Sequence, residues 1–288
     1  MQIRLRSSLI AAWDDCRHRV QYEYILKVQS LAIAANLAFG QCVDIATREY
    51  LRSLTLGTAL PDPVKTFRSL WAEQTSQSIL VFTATQSPEI FERMGIDLLS
   101  DLAESWDATG YEVALDAAGT PLLDVSLSYY LGRFMDIDVF LDGTIDVIVY
   151  TDESDLAVVD VKSAAAMHTS LYTLRSDQLT SYQVLVQGNR RKLGLPPLRR
   201  LGFWDFLKRR ASARIEQPLL VPLRSPQELL AFRDKCYWLA EDIKRGRFPK
   251  ASRMQFNTPC EMCAYAQHCV YGDDDELVFP ASPSRQTV

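Results

Sequence analysis

The chain has 288 residues, of which 48% are hydrophobic and 23% charged, and its formal net charge is −5 at pH 7. This length can bury a substantial core, and no apolar run approaches the roughly 20 residues that cross a bilayer, so we expect a cytoplasmic protein with no membrane partner. Six cysteines in such a chain predict metal binding or buried thiols, and they argue against a disulfide framework.

The first part of the chain carries apolar residues at helical spacing. Residues 7–28 predict one helix with Cys16 on it, and residues 32–54 predict a second helix that includes Asp44. Further apolar stripes between 60 and 110 predict a helical insertion, and such stripes are packing surfaces far more often than cofactor sites.

Strand patterns follow. They lie, in chain order, at 111–116, 121–131, 133–141, 144–150 and 156–162. The fourth carries Asp146, and the fifth ends in Asp160-Val161-Lys162. Because strand side chains alternate faces, Asp160 and Lys162 point the same way and Val161 points the other way. Carboxylates on adjacent strands repel unless a hard cation lies between them, so the pattern predicts Mg²⁺ or Mn²⁺ and metal-assisted phosphodiester hydrolysis.

Two alternatives accompany this prediction. An acid and a lysine two residues apart also form ordinary solvated salt bridges, which contribute little. Asp136 and Asp138 are a rival pair of metal-binding acids on the preceding strand pattern, and Glu112 or Asp124 would supply an extra acid. We prefer Asp146 because its strand directly precedes the strand of Asp160.

After Lys162 the chain predicts a helix on which Gln178 and Tyr182, four residues apart, share one face. A strand at 198–207 and a helix at 226–245 complete an α/β pattern. Nine basic residues and one acid, Asp205, lie between 190 and 214. This segment fits two interpretations. It either tracks a phosphate backbone with Phe203, Trp204 and Phe206 stacking on bases, or it is the solvated surface around a buried strand.

Three cysteines near the end of the chain, Cys260, Cys263 and Cys269, have C-x₂-C-x₅-C spacing. With Cys16 they make a four-thiolate set that suits either a 4Fe–4S cluster or a zinc ion, and unliganded thiols are the third possibility. His268 is an alternative zinc ligand. We expect residues 259–270 to staple the two ends of the chain together, and residues 273–288 to form a disordered acidic tail.

These motifs occur in an order that resembles the PD-(D/E)XK nuclease superfamily, and specifically its RecB-type branch. The matching features are Trp13-x-x-Cys16, the Phe39-Gly40 helix, Asp146 with Asp160-x-Lys162, Gln178-x-x-x-Tyr182 and the late cysteines. The resemblance implies a single domain at 1–272 of α/β type. Its mixed sheet, flanked by helices, would form a restriction-endonuclease-like core with a helical insertion and a C-terminal cysteine staple.

The resemblance also implies roles for individual residues. Asp146, Asp160 and the carbonyl of Val161 would bind Mg²⁺ or Mn²⁺, and Lys162 would orient or activate the attacking water. Asp44 stands where the family has a metal-binding histidine, so its role as a ligand is left open.

Two further sets of residues complete the comparison with the family. Gln178 and Tyr182 would border the site and hold the DNA strand. Cys16 with the three late cysteines would bind a 4Fe–4S cluster, as in CRISPR-associated RecB-like relatives.

The activity implied is that of a DNA exonuclease preferring single-stranded ends, acting in recombination, repair, phage DNA metabolism or CRISPR adaptation with partner proteins. A non-catalytic DNA-binding or assembly subunit is the first alternative. A zinc-stapled regulatory protein without a nucleic-acid role is the second.

Overall fold

The structure is a computed structural model that describes residues 1–209, 212–251 and 259–280. The strands are β1 (Gln2–Leu5), β2 (Gln29–Ser30), β3 (Ala32–Ala34), β4 (Ile79–Val81), β5 (Glu112–Val113), β6 (Leu123–Phe134), β7 (Ile137–Tyr150), β8 (Leu156–Ala164), β9 (Leu198–Leu207), β10 (Arg214–Ile215), β11 (Leu219–Pro222) and β12 (Leu277–Val278).

The helices are α1 (Ser7–Asp15), α2 (Arg17–Val20), α3 (Ala35–Leu56), α4 (Pro63–Gln77), α5 (Pro88–Ser100), α6 (Leu102–Asp107), α7 (Ser170–Arg175), α8 (Asp177–Leu193), α9 (Pro226–Arg245) and α10 (Ala266–Tyr271). A π-helical turn (Gln21–Ile25) extends α2, and a 3₁₀ turn (Pro259–Met262) precedes α10. Within the described residues, no helix is long and apolar enough to span a membrane.

Within this part of the chain, eight strands form one mixed sheet with the central order β1-β7-β8-β9-β10, while β5 and β6 pair with β7 and β11 pairs with β9. Strand β1 is parallel to β7, β7 is antiparallel to β8, and β8 is parallel to β9. Helices cover both faces, so the predicted mixed sheet flanked by helices is confirmed.

Each face of the sheet has its own core. On one face, α1, α8 and α9 bury apolar residues such as Leu9, Leu185 and Phe232 against β7 and β8. On the other face, α3 to α6 bury a cluster of aromatic rings that includes Phe39 and Phe91. The helical segment predicted at 60–110 therefore forms one layer of the fold together with α3, although a short strand, β4, interrupts it.

The predicted boundary between the strands at 133–141 and 144–150 is wrong, since residues 137–150 form the single strand β7, and Arg133 and Phe134 belong to β6. Gly143, which suggested a turn, lies in the middle of β7. A Cβ atom at this position would be 2.7 Å from Leu185 Cδ1 on α8, so the glycine is required by the close approach of the helix. The reversal of direction instead occurs at Met135, which has a positive φ of 52°.

Other elements differ from prediction only near the ends of the chain. The expected helix at 7–28 is broken at Cys16, whose backbone is extended, and the expected helix at 32–54 begins with strand β3. Residues 198–207 and 226–245 form β9 and α9 with the bounds predicted. Part of the predicted disordered tail is a strand, because β12 pairs with β2, and residues 281–288 lie outside the described part.

Candidate active site and cysteine cavity

The central sheet forks where the two candidate metal-binding acids lie. Strands β7 and β8 pair from Val147 opposite Val159 to Tyr150 opposite Leu156. Beyond this point β7 pairs with β6 and β1, whereas β8 stays with β9. Asp146 and Asp160 are the first residues past the paired segment, so their side chains lie at the opening of the fork.

Asp160 is the most enclosed residue of the fork, with no exposed surface. Lys162 Nζ lies 2.6 Å from Asp160 Oδ2. Asp160 Oδ1 accepts hydrogen bonds from Gln178 Nε2 at 2.9 Å and from the Tyr182 hydroxyl at 3.0 Å. Helix α8 thus fixes the orientation of this carboxylate, and Tyr182 is itself buried. The two α8 residues contact the acid here, and contact with a DNA strand stays a prediction.

Asp146 is linked to strand β8 through a backbone N–H group of that strand. Its Oδ2 accepts a hydrogen bond of 3.0 Å from the Val161 N–H, which bridges the two arms of the fork. The pKa of Asp146 is raised to about 8. Burial is the largest cause, and the neighbouring carboxylates of Asp160 and Asp44 add to it. The carboxyl groups therefore share one electrostatic environment.

Asp44 approaches from α3, on the opposite face of the sheet from α8. Its Oδ2 pairs with Arg48 at 2.9 Å, and Arg48 also pairs with Asp124 at 2.6 Å. Burial raises the pKa of Asp44 to about 6, an effect that Asp124 and Asp160 reinforce and that Arg48 opposes. Sequence reasoning missed Arg48, although its position four residues after Asp44 on a helix was a usable signal.

The three acids suit a hard divalent cation. Asp44 Oδ1 is buried and, among the described residues, has no hydrogen-bond partner, which is costly for a carboxylate oxygen. Oxygen ligands of this kind are those that Mg²⁺ and Mn²⁺ take. In the part of the chain that the structure describes, no three His, Cys, Asp or Glu side chains are arranged to hold a metal ion as they stand. Each acid is instead engaged by Arg48, Lys162 or the Val161 N–H.

Lys162 is a cation in this setting. Burial lowers its pKa, but the adjacent carboxylates of Asp160 and Asp146 outweigh burial, and the net shift of the pKa is upward. The ammonium group can therefore donate hydrogen bonds to a water molecule or to phosphate oxygens, and it can offset negative charge that builds during phosphodiester cleavage.

The other acids considered from sequence lie away from the fork. Asp136 lies next to the hairpin turn and pairs with Lys244, and Asp138 accepts a hydrogen bond from the Tyr130 hydroxyl at the far end of β7. Glu112 is exposed on β5 opposite Tyr150. Only Asp124 is connected to the site, through Arg48.

The basic segment between 190 and 214 does not present aromatic rings to solvent. Phe203, Trp204 and Phe206 are buried in β9, at the centre of the sheet, so stacking of these rings on bases is excluded. This burial fits the interpretation as a solvated surface around a buried strand, and a phosphate contact by the basic side chains stays a prediction. Asp205 is also buried, and its carboxylate accepts hydrogen bonds from the backbone and ring of His168, a pair that sequence reasoning missed.

The four predicted cysteine ligands line one small cavity between the two ends of the chain. Cys16 lies in the break between α1 and α2, and Cys260, Cys263 and Cys269 belong to the 3₁₀ turn and α10 region. All four are partly buried. Burial raises the pKa of the Cys263 thiol, and the nearby Cys16 and Cys260 raise it further. The structure thus brings together residues that are about 250 positions apart in the sequence.

Aromatic and backbone contacts close this cavity. The Tyr265 hydroxyl donates to the Val28 carbonyl at 3.1 Å, and the Tyr22 ring lies 5.4 Å from that of Tyr265. His268 is in edge contact with Tyr22, and its Nδ1 pairs with Asp274. His268 is not one of the residues that line the cavity, and its role as an alternative zinc ligand stays a prediction. Cys42 and Cys236 are buried elsewhere in the core, as expected of ordinary thiols.

Comparison with known proteins agrees with this geometry. The family model described as the PD-(D/E)XK nuclease superfamily matches residues 8–270, which is nearly the whole chain. No curated protein sequence matches the chain.

Solved structures show a similar fold at low sequence identity. A candidate exonuclease from Eubacterium rectale superposes with a TM-score of 0.52 at 12% identity, covering 92% of this chain and 87% of that one. The protein SSO0001 matches with a TM-score of 0.37 at 12% identity over 84% of this chain and 87% of its own. At this identity the first match is a likeness of fold, and the second is too distant to add to it.

Proposed function

Because the chain belongs to the PD-(D/E)XK nuclease superfamily, we propose that it is a metal-dependent deoxyribonuclease whose active site is the fork of Asp146, Asp160 and Lys162. The observation that carries the proposal is the convergence of one buried and two partly buried carboxyl groups and one lysine where the central sheet opens. Buried like charges of this kind are costly to the fold and are characteristic of sites that do chemistry.

One or two Mg²⁺ or Mn²⁺ ions, held by Asp146, Asp160, the Val161 carbonyl and Asp44, would polarise the scissile phosphate and lower the pKa of water. Gln178 and Tyr182 keep the Asp160 carboxylate in one orientation through their hydrogen bonds. Lys162, protonated beside Asp160, orients the attacking water and offsets the charge that develops on the phosphate oxygens.

We further propose that the enzyme removes nucleotides from single-stranded DNA ends. The sequence resemblance to RecB-type nucleases supports this mode of action, and the likeness of fold to the Eubacterium rectale protein is consistent with it. Recombination, repair, phage DNA metabolism or CRISPR adaptation, with the corresponding partner proteins, is the setting that the same resemblance suggests.

For the cysteine cavity we propose a 4Fe–4S cluster held by Cys16, Cys260, Cys263 and Cys269. The support is that thiols from both ends of the chain line one cavity. A single zinc ion on the same four thiolates is the alternative, and metal analysis separates the two. The cluster would join the N-terminal helices to the C-terminal segment.

A non-catalytic DNA-binding subunit is the second candidate function. It is favoured by Asp44, which stands where the family has a histidine and pairs with Arg48. The guanidinium group of Arg48 thus already lies against one side of the acidic site. Such a protein would bind DNA in a salt-dependent manner without cutting it.

The deciding experiment measures cleavage of end-labelled single- and double-stranded DNA with Mg²⁺ or Mn²⁺ by protein purified without oxygen. We expect cleavage that requires the metal and is absent from Asp160→Ala. Asp138→Ala, which removes an acid at the other end of β7, is the matched control and should cleave normally. Salt-sensitive binding without cleavage by the wild-type protein would reject the nuclease and favour the second function.

A further inference from the structure

An exposed apolar surface adjoins the proposed active site, on the segment that follows strand β8. Four residues of this segment show large exposed fractions, Met167 47%, Leu171 70%, Tyr172 58% and Leu174 38%. Exposed apolar residues gathered in one place are characteristic of binding surfaces. We call this group the α7 platform, because helix α7 carries three of its four members.

The platform is built on a rigid foundation. The His168 ring lies 4.8 Å from the Tyr172 ring and 4.7 Å from the buried Phe203 ring, and the three rings form a cluster of tilted contacts. His168 is fixed by Asp205, whose carboxylate accepts the His168 N–H at 2.7 Å and pairs with Nδ1 at 2.6 Å. An anchor of this kind holds Tyr172 in place although more than half of its surface faces solvent.

A buried arginine fixes the other end of α7. Arg224 Nη2 donates hydrogen bonds to the carbonyls of Thr173 at 2.7 Å and Ser176 at 3.2 Å. Its Nε donates to Thr180 on α8. Since Gln178 lies on the first turn of α8 and contacts Asp160, the platform and the metal-binding acid are held in a fixed relation.

The platform also borders a groove that reaches Gln178, the residue that contacts the metal-binding acid. This cavity of about 480 Å³ is lined by Tyr172, Arg175 and Gln178, and by the side chains of Asp14, Asp15 and Asp177. Lys162 Nζ, beside the candidate metal-binding acid, lies 5.7 Å from the centroid of the Phe203 ring, which the Tyr172 ring also contacts. A molecule resting on Tyr172 is therefore close to Lys162, and the groove offers it one guanidinium group, from Arg175, beside three carboxyl groups.

We propose that Tyr172 is a stacking surface for an unpaired nucleobase of the substrate strand, and that this contact gives the enzyme its preference for single-stranded ends. The inference rests on the proposed nuclease function. Each nucleobase has a flat apolar face, and stacking on an aromatic ring is tolerant of sequence. In a duplex both faces of an internal base are covered by its neighbours, so a base becomes available to Tyr172 only when it is unpaired or frayed.

The first test compares Tyr172→Ala with Tyr172→Phe in cleavage of a labelled single-stranded oligonucleotide. Tyr172→Ala should raise KM by roughly 10- to 100-fold with a smaller change in kcat, and Tyr172→Phe should stay close to wild type because it keeps the ring. Tyr130→Ala is the matched control. Tyr130 is an equally exposed tyrosine, at 47%, at the far end of the same sheet, and its removal should leave KM unchanged.

The second test measures binding of oligonucleotides that lack one base at successive positions, with Ca²⁺ in place of Mg²⁺. In the wild-type protein, loss of one particular base near the scissile phosphate should weaken binding, and Tyr172→Ala should be indifferent to that loss. Equal affinities of wild type and Tyr172→Ala for every oligonucleotide, or an abasic penalty that persists without Tyr172, would overturn the proposal and point to a protein partner for the platform.

The two proposals fail in distinguishable ways. A wild-type protein that cuts no DNA but shows the Tyr172-dependent abasic penalty would reject the nuclease and keep the stacking surface. A protein that cuts single strands with the same KM after Tyr172→Ala would keep the nuclease and reject the stacking surface. A protein that neither cuts nor binds these oligonucleotides would reject both.

Discussion

The acidic fork and the cysteine cavity are both candidate metal sites, but they are built in opposite ways. At the fork, the backbone belongs to β7 and β8 in the centre of the sheet, and the unfavourable features are the burial and the mutual repulsion of the carboxyl groups. Around the cavity, the backbone consists of a four-residue helix, a π-helical turn, a 3₁₀ turn and a six-residue helix. Short elements of this kind have little stability of their own.

The difference predicts which property each site controls. Removing a carboxylate from the fork should abolish activity while the sheet remains folded, because the strands are held by two hydrophobic cores. Removing a thiol from the cavity should weaken the fold first and activity only as a consequence. Four changes test this division, beginning with the largest expected effect.

Asp160→Asn should reduce cleavage by at least about 100-fold, because it removes the charge of the acid that Lys162, Gln178 and Tyr182 all contact. The midpoint of thermal unfolding should stay the same or rise, since a buried like charge is lost. The measurement pairs initial rates with circular dichroism melting. A large fall in the midpoint would show that Asp160 also stabilises the fold.

The metal-free protein should lose stability as the pH rises from about 4 to 8. Folded Asp146 keeps its proton up to about pH 8, whereas the unfolded chain releases it near the ordinary value of 3.8. Between these pH values the folded state binds more protons, so the free energy of unfolding falls as pH rises. Denaturant titrations in EDTA should show this slope, a loss of a few kcal/mol.

Asp146→Asn should flatten that slope, and Mg²⁺ should raise stability more at pH 8 than at pH 5. A slope that is equal in wild type and Asp146→Asn would mean that other groups carry the pH dependence.

Cys16→Ala should lower the iron content of protein purified without oxygen and should lower the unfolding midpoint by roughly 5–10 °C, about 2–3 kcal/mol for a chain of this size. Cys42→Ala removes a buried thiol distant from the cavity and serves as the control, with iron content unchanged. Iron and acid-labile sulfide analysis gives the readout. Equal iron in both variants would reject the proposed cluster.

Tyr182→Phe should have the smallest effect, a fall in kcat of roughly 5- to 10-fold, because it removes one hydrogen bond to Asp160 and leaves the one from Gln178. KM for DNA should be unchanged if Tyr182 acts through the carboxylate. A raised KM with normal kcat would show instead that Tyr182 holds the strand, as the sequence resemblance implies.

The sequence predicted the elements whose local pattern and tertiary surroundings agree. Strand β9 and helix α9 have the predicted bounds, since apolar residues predominate in one and a capping box of Ser225 and Glu228 starts the other. The grouping of Asp146, Asp160 and Lys162 followed from strand alternation. Gly143 misled the prediction because its requirement arises from Leu185, which is distant in sequence.

The parts of the site that could not be predicted depend on tertiary contacts between remote residues. Nothing local pairs His168 with Asp205, which are 37 residues apart, or places Tyr172 over that pair. The sequence left two interpretations open for Phe203 and Trp204, and only the position of β9 in the sheet shows that these rings are buried.

Cys16 is far in sequence from its three partners, and this separation has a consequence for the order in which parts of the protein can fold during synthesis. Strand β1 cannot enter the sheet until β7 has been synthesised, since Gln2 pairs with Asp138. The cavity cannot close until residue 269 has left the ribosome, at the end of a folding process dominated by long-range contacts. A chain that stops short of this point can still form the acidic fork, but it cannot complete the four-cysteine set. If the cluster is present, its colour therefore reports that a molecule has been synthesised and folded through to that residue.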